Sequence, residues 1–207
     1  MSRVKCVYKP SDYPGNLDEA TKKDLDVLFE HLCPGEPKTE PHSGYALLAQ
    51  SPKLALNIAR LGDYIVRDMP WTQRRDLREL AAQALNLHFK CDFSFQAHLA
   101  YAQVAGITLE QQAAIPYWRT SNLFNDEQRL VIEYSFAVVS GDVPAELFSR
   151  VVAAYGERGA IECTSAIAWW SFWAMILNAA RPEFSFERAQ PLKGDSKELA
   201  GYKSQQS

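Results

Sequence analysis

The sequence predicts an all-α fold, and two observations support that prediction. Apolar residues recur three or four positions apart along most of the chain, which is the periodicity of helices. No stretch keeps the alternation of apolar and polar residues that is typical of strands. With 207 residues, 47% of them hydrophobic, the chain is large enough for one sizeable domain, or at most two small ones, with an apolar core.

The N-terminal part predicts an arm, a helix and a loop. Two prolines and a glycine keep residues 1–15 out of helical conformation, so we expect an extended arm. Asn16 or Asp18 then caps a helix that continues to Leu32. Residues 33–44 contain three prolines, which indicate a loop rather than a helix.

The middle of the chain predicts three further helices. Ser51–Pro52 is a good N-cap and first helical residue for a helix that continues to Arg67. Thr72 is expected to cap the next helix, whose apolar spacing lasts until Lys90. Gly106 is expected to end the helix after that, as a glycine just beyond the last helical residue.

The C-terminal part predicts more helices and a tail. The boundary signals, in chain order, are Thr108 (capping box), Pro116 (kink or end), Asn125 (start), Gly141 (end), Val143–Pro144 (start) and Gly156 or Gly159 (end). A last long helix reaches Ala180, and aromatic residues surround it. Composition then becomes polar. We therefore expect an arm (1–15), one helical domain (16–181) and a C-terminal tail (182–207).

Composition argues against several classes of function. The net charge is −3 and no basic stripe occurs, so nucleic acid is not an expected partner. The start lacks the apolar region of a signal peptide and no apolar run is as long as a membrane span, so we expect a cytoplasmic protein without a membrane partner. The four cysteines are scattered without a C-x-x-C pair, which predicts free thiols, no metal site and no other cofactor.

The candidate catalytic residues are Glu79, Cys91, Ser94 and His98. The last three are separated by three and then four residues, a spacing that a helix would place on one face. Glu79 lies on the preceding helix, where the charged residues before it are expected to form a solvated face. A carboxylate, a thiol, a hydroxyl and an imidazole in one place predict a proton-transfer site. The alternative is an ordinary histidine beside a buried cysteine and a serine bonded to its own helix.

Four more residues are candidates for contacts with a substrate: His42, Tyr45, Phe95 and Trp169. The first two end the predicted loop, and loops on a rigid scaffold often carry binding residues, although a solvated histidine is the plainer interpretation of His42. Phe95 follows Ser94 directly. Trp169 belongs to an aromatic stretch that either lines a pocket for a planar molecule or, as such stripes more often do, packs in the core or at a subunit interface.

The spacing of Glu79, Cys91, Ser94 and His98 resembles the carboxymuconolactone decarboxylase and AhpD-like (alkylhydroperoxidase) superfamily. The AhpD branch has a Glu followed, at this distance, by C-x-x-C-x-x-x-H. Ser94 stands where that branch has its second Cys. The likeness covers residues 45–115 of the chain.

The decarboxylase branch of that superfamily has R-E-L, then Y-E-W-x-x-H and A-G-L-T. In this chain Arg78–Leu80 reads R-E-L, residues 93–98 read FSFQAH and residues 105–108 read AGIT. Ser94 also replaces the Glu of this branch, so neither parent activity carries over intact.

The resemblance implies an AhpD-like helical bundle with two related helical halves. It also implies a homo-oligomer, a trimer, hexamer or dimer, with sites near subunit contacts. The implied activity is that of a lyase or isomerase acting on a small organic acid or lactone, as in aromatic-compound catabolism. His98 would transfer the proton and Glu79 would orient it, while Ser94 and Cys91 would hold or protonate substrate oxygens.

Two alternatives remain open at this point. One is thiol-dependent hydroperoxide reduction, in which Cys91 would act without the second cysteine of the family and would need an outside reductant. The other is a non-catalytic oligomer that keeps the pocket for binding only, since replacement of a motif residue at Ser94 is what lost catalysis would look like.

Overall fold

A computed structural model describes residues 2–35 and 40–183. Within these ranges the chain is all-helical, as predicted, with eight α-helices, short 3-10 or π-helical turns and no strand. The described residues divide into two compact units. One runs up to Tyr64 and resumes at Leu177, and the other runs from Ile65 to Ile176.

The first unit contains helices α1 (Glu19–Leu32), α2 (Ser43–Leu48) and α3 (Pro52–Asp63). Of the two predicted caps, Asn16 and Asp18, it is Asp18 that caps α1. Its side chain accepts a hydrogen bond from the Thr21 amide at 2.7 Å. A 3-10 turn, Pro10–Asp12, interrupts the arm that we expected to be extended. The helix predicted to reach Arg67 ends at Asp63 and continues as a π-helical turn, Tyr64–Asp68.

The prediction that residues 33–44 form a loop is wrong at the C-terminal end of this range. Helix α2 begins at Ser43, and His42 is its N-cap, with Nδ1 accepting a hydrogen bond from the Gly44 amide at 3.1 Å. The prediction failed because glycine disfavours helices and histidine is not among the preferred capping residues. Residues 36–39 of the predicted loop lie outside the described residues.

Helix α4 (Arg75–His88) forms the centre of the second unit. Every residue from Leu77 to Asn86 is buried. Helices α5 (Asp92–Val104) and α7 (Asp126–Ser140) pack against it. Because residues 77–86 of α4 are buried on all sides, each polar side chain among them needs a partner within the protein.

Thr72 does not cap α4, contrary to the prediction. It lies in a separate 3-10 turn, Pro70–Gln73, and Arg74 is the N-cap of α4. The Thr72 hydroxyl donates instead to the carbonyls of Ile65 and Met69, at 2.5 and 2.8 Å. The proline at the first position of the turn starts this short element five residues before α4 begins.

The boundary predictions at Thr108, Pro116, Asn125 and Gly141 are confirmed. Thr108 and Asn125 form capping boxes for α6 (Leu109–Ala114) and α7. The 3-10 turn Ile115–Tyr117, which contains Pro116, closes α6. Gly141 ends α7 in the left-handed conformation, at φ 75°.

Helix α8 (Ala145–Ala180) comprises the last two predicted helices, and Gly156 breaks it with φ 71° and ψ 170°. Contrary to the prediction, its 36 residues are long and apolar enough to span a membrane by length and composition. However, 56% of its most apolar 18-residue window is buried in the protein, and a core helix passes the same test. Most of the predicted tail, from residue 184, lies outside the described residues.

Candidate functional site

A tight turn between α4 and α5 brings the site residues together. Lys90 adopts the left-handed conformation, at φ 51°, and the Cys91 amide donates to the carbonyl of Asn86 at 2.8 Å. This is the hydrogen-bond pattern of a Schellman C-cap, usually built on glycine. The turn makes α4 and α5 neighbours. As a result, two side chains 19 positions apart in sequence, Glu79 and His98, meet.

Glu79 and His98 form an acid–imidazole pair in which the carboxylate is buried, a contact that the sequence left open. Glu79 Oε2 lies 2.7 Å from His98 Nδ1, and only 1% of Glu79 is exposed. Burial raises the pKa of the Glu79 carboxyl, but the charges and hydrogen bonds of His98 and Arg78 outweigh burial and leave the pKa lowered. An ionised carboxylate only accepts hydrogen bonds, so Nδ1 carries the proton. Nε2 is therefore the ring nitrogen that can accept one.

Arg78 is the second partner of Glu79, and the prediction that it belongs to a solvated face is wrong. It is 7% exposed, and its Nε donates to Glu79 Oε1 at 3.0 Å. Its Nη1 donates to the carbonyl of Val66, in the π-helical turn, at 3.5 Å. A buried carboxylate without a cation is costly, so Arg78 helps to keep Glu79 ionised. The R-E-L segment was the sequence signal that pointed to this residue.

Cys91 and Ser94 lie at the start of α5. Cys91 is the N-cap, so it precedes the helix in which the spacing placed it, whereas Ser94 and His98 are one turn apart inside α5. Both are buried, with 1% of Cys91 and 5% of Ser94 exposed. Burial raises the pKa of the Cys91 thiol, which makes the thiolate scarce at neutral pH.

Aromatic rings flank the imidazole of His98. Trp170 meets it edge-on, with ring centroids 6.4 Å apart, and Tyr101 lies at 6.0 Å. The sequence pointed instead to Trp169, which stacks on Phe172 at 6.1 Å. Consecutive helical residues point about 100° apart, so the choice between Trp169 and Trp170 could not be made from composition.

The other predicted substrate contacts are placed as follows. His42 and Tyr45 lie in the first unit, at the start of α2, while the half-buried Phe95 lies on α5 in the second unit. Their roles, and that of Trp169, stay predictions. Across residues 2–35 and 40–183, no group of three or more His, Cys, Asp or Glu side chains is arranged to hold a metal ion.

Two crystal structures of one enzyme resemble the chain. The debrominase Bmp8 in its apo form matches with a TM-score of 0.60 and 18% identity, over 88% of this chain and 95% of its own. The fold is Bmp8-like. A cysteine-to-alanine variant of Bmp8 in complex with 2,3,4-tribromopyrrole matches with the same TM-score and identity, over 89% of this chain and 94% of its own.

No family profile and no curated protein matches the chain. At 18% identity the similarity to Bmp8 shows the fold alone.

Proposed function

We propose that the chain is an enzyme in which His98, oriented by Glu79, transfers a proton to or from a small cyclic organic acid or lactone. The observation that carries this proposal is the 2.7 Å contact between His98 Nδ1 and a buried, ionised carboxylate. This is the arrangement that holds a histidine in one tautomer and stabilises its charged form in catalytic triads. Trp170 and Tyr101, whose rings lie next to the imidazole, are proposed to contact a planar substrate.

The same pair serves two related reactions. In a lyase, loss of carbon dioxide leaves an enolate, and the imidazolium gives a proton from Nε2 to carbon. In an isomerase, the neutral imidazole takes a proton at Nε2 from a carbon next to a carbonyl and returns it elsewhere. Glu79 stays ionised throughout both and stabilises the imidazolium. Ser94, one turn before His98, is proposed to hold a substrate oxygen.

Thiol chemistry at Cys91 is the second candidate. Bmp8 supports it, because a Bmp8 cysteine variant was crystallised with a brominated pyrrole. The surroundings of Cys91 count against it, because the thiol is 1% exposed and burial raises its pKa. Proton transfer is therefore the preferred proposal.

The proposed partners are the substrate and further copies of the chain, and the proposed location is the cytoplasm.

The test is transfer of solvent deuterium into a panel of small lactones and cyclic carboxylic acids, followed by NMR. We expect His98→Gln to slow transfer about 100-fold or more, the range for a lost general acid or base. The matched control is His31→Gln, which removes another carboxylate-paired histidine, 2.9 Å from Asp63 Oδ2, whose carboxylate is 43% exposed where that of Glu79 is buried. The control should leave transfer unchanged, and Cys91→Ser should slow it much less than His98→Gln.

Each other result selects an alternative. Hydroperoxide consumption or reductive dehalogenation that disappears in Cys91→Ser would establish thiol chemistry. Saturable ligand binding without turnover in the wild-type chain would establish a binding protein. Equal loss of transfer in His98→Gln and His31→Gln would contradict a specific role for His98.

A further inference from the structure

Three buried amide side chains form a hydrogen-bonded chain beside the Glu79–His98 pair. Asn86 Nδ2 donates to Gln83 Oε1 at 3.1 Å, and Gln83 Nε2 donates to Gln112 Oε1 at 2.7 Å. Gln83 is fully buried and the other two are 1% exposed. Amides buried this deeply are costly unless their hydrogen bonds are made. Both glutamines use their oxygen and their nitrogen, whereas Asn86 Oδ1 has no partner among the described residues.

The two glutamines end on the backbone of α5. Gln83 Nε2, from α4, donates to the carbonyl of Phe95 at 3.3 Å. Gln112 Nε2, from α6, donates to the carbonyl of Leu99 at 3.4 Å and to that of Ile107, after the end of α5, at 3.2 Å. The Phe95 and Leu99 carbonyls are one helical turn apart and bracket His98. A carbonyl only accepts, so both amides must turn their nitrogen toward α5, which leaves Gln83 Oε1 for Asn86.

Gln83 follows Glu79 by four residues on α4, so the two side chains share one face of that helix. One face of α4 therefore makes two contacts with α5: Glu79 binds the His98 side chain, and Gln83 binds the Phe95 carbonyl. We propose that Gln83 and Gln112 are positioning residues that set the rotation and axial position of α5 against α4. Through α5 they set the distance between His98 Nδ1 and Glu79 Oε2.

The inference rests on the proposed function of His98 for its catalytic meaning. A displacement of a reacting group by about 1 Å costs about 100-fold in rate, so a small rotation of α5 is enough to matter. The two glutamines would fix the position of α5 from two sides, because Gln83 on α4 binds the Phe95 carbonyl and Gln112 on α6 binds the Leu99 carbonyl.

The test compares Gln83→Glu, Gln83→Met and Gln112→Met with the control Tyr134→Phe. Tyr134 is as buried, at 1% exposed, and its hydroxyl bonds Thr164 at 2.6 Å, away from α5. The readout is the exchange with solvent of the His98 Nδ1–H proton, observed by NMR. We expect the exchange to rise about tenfold in each glutamine variant and by less than about twofold in the control.

Gln83→Glu adds a pH signature. The shape of the side chain is kept, but a carboxylate has no hydrogen to donate to the Phe95 carbonyl. Protonation restores one donor, and burial raises the pKa of such a carboxyl, so slow exchange should return as the pH falls. Gln83→Met cannot recover in this way, which separates loss of the donor from a general loosening of the core.

The readout needs no substrate, so its failure is distinct from failure of the proposed function. Faster exchange in the glutamine variants supports positioning even if no substrate turns over. Exchange that stays within about twofold of the control in all three variants, measured where circular dichroism shows each to be folded, overturns the proposal. Gln112→Met provides the second, independent arm if a Gln83 variant does not fold.

Discussion

Arg78 and Glu79 are consecutive residues of α4, and both are buried. They form an ion pair at 3.0 Å, with Glu79 Oε2 left for His98. Two adjacent charges on a buried helix are stable only together, because removal of one leaves the other without a partner in a place that excludes water. The charge state of the site therefore depends on both.

Replacement of the arginine gives the first prediction. Arg78→Leu should lower the free energy of unfolding by about 3 kcal/mol, because it leaves the Glu79 carboxylate without its cation. The measurement is urea denaturation at neutral pH. Arg75→Leu, at an exposed position on the same helix, should change stability by about 0.5 kcal/mol or less. Similar losses in the two variants would contradict the buried ion pair.

The second prediction concerns pH. The pKa of Glu79 lies below its ordinary value of 4.5 in the folded protein. A depressed folded pKa gives stability that is present above the unfolded value and is lost as the pH falls through the folded value. The difference in unfolding free energy between the wild type and Glu79→Gln should thus be largest near neutral pH and shrink below 4.5.

The control for this pH series is Glu133→Gln. Glu133 belongs to a surface ion pair with Arg150, at 2.8 Å, and such pairs contribute about 0.5 kcal/mol or less. The unfolding free energy of Glu133→Gln should stay close to that of the wild type across the pH series. A wild-type advantage over Glu79→Gln that grew in acid would reverse the sign required by a depressed pKa.

At the scale of elements, two left-handed residues bracket α5. Gly106, at φ 90°, ends the helix, and the Ile107 amide donates to the Ala102 carbonyl at 2.8 Å. Lys90, at φ 51°, makes the turn before it. The glycine could be recognised in the sequence because glycine adopts this conformation without a steric cost, whereas the lysine carried no such signal.

The third prediction concerns these two positions, where substitutions should change the stability of the protein in opposite directions. Gly106→Ala should destabilise the protein by about 1 kcal/mol, and Lys90→Gly should stabilise it by up to about 1 kcal/mol. Thermal unfolding of both variants measures the difference. Destabilisation by Lys90→Gly that equals the loss in Gly106→Ala would show that the lysine side chain, rather than its backbone, determines stability there.

Much of the element order was predictable, because capping boxes at Thr108 and Asn125 and a glycine at Gly141 act locally. The failures are those in which distant contacts decide. Arg78 is buried against Glu79, and although the R-E-L segment pointed to this residue, a charged side chain does not by itself indicate burial in sequence. Gln83 and Gln112 were missed for the same reason, since only the packing of α4, α5 and α6 reveals their partners.

At the scale of the whole molecule, none of the four cysteines is in a disulfide, and three of them are buried: Cys33, Cys91 and Cys163. Burial raises the pKa of the Cys91 and Cys163 thiols. Cys6 is partly exposed. In the native state, Cys6 is therefore expected to react with thiol reagents before the other three cysteines do.

The fourth prediction follows from this distribution. A water-soluble disulfide reagent should label Cys6 quickly in the folded protein and the other three thiols only as the protein unfolds, because only a thiolate that solvent reaches reacts. Mass spectrometry of the labelled peptides identifies the sites, and Cys6→Ser should remove the fast phase. Labelling of Cys91 as fast as that of Cys6 would favour the thiol mechanism over proton transfer.

The most direct test of the central claim is the tautomer of His98, observed by nitrogen-15 NMR and assigned by loss of its signals in His98→Gln. With the imidazole neutral, we predict that Nδ1 is protonated toward Glu79 and Nε2 is not, and that Glu79→Gln removes this preference. A proton on Nε2 in the wild type, or a spectrum that Glu79→Gln leaves unchanged, would contradict the claim that Glu79 orients the proposed base.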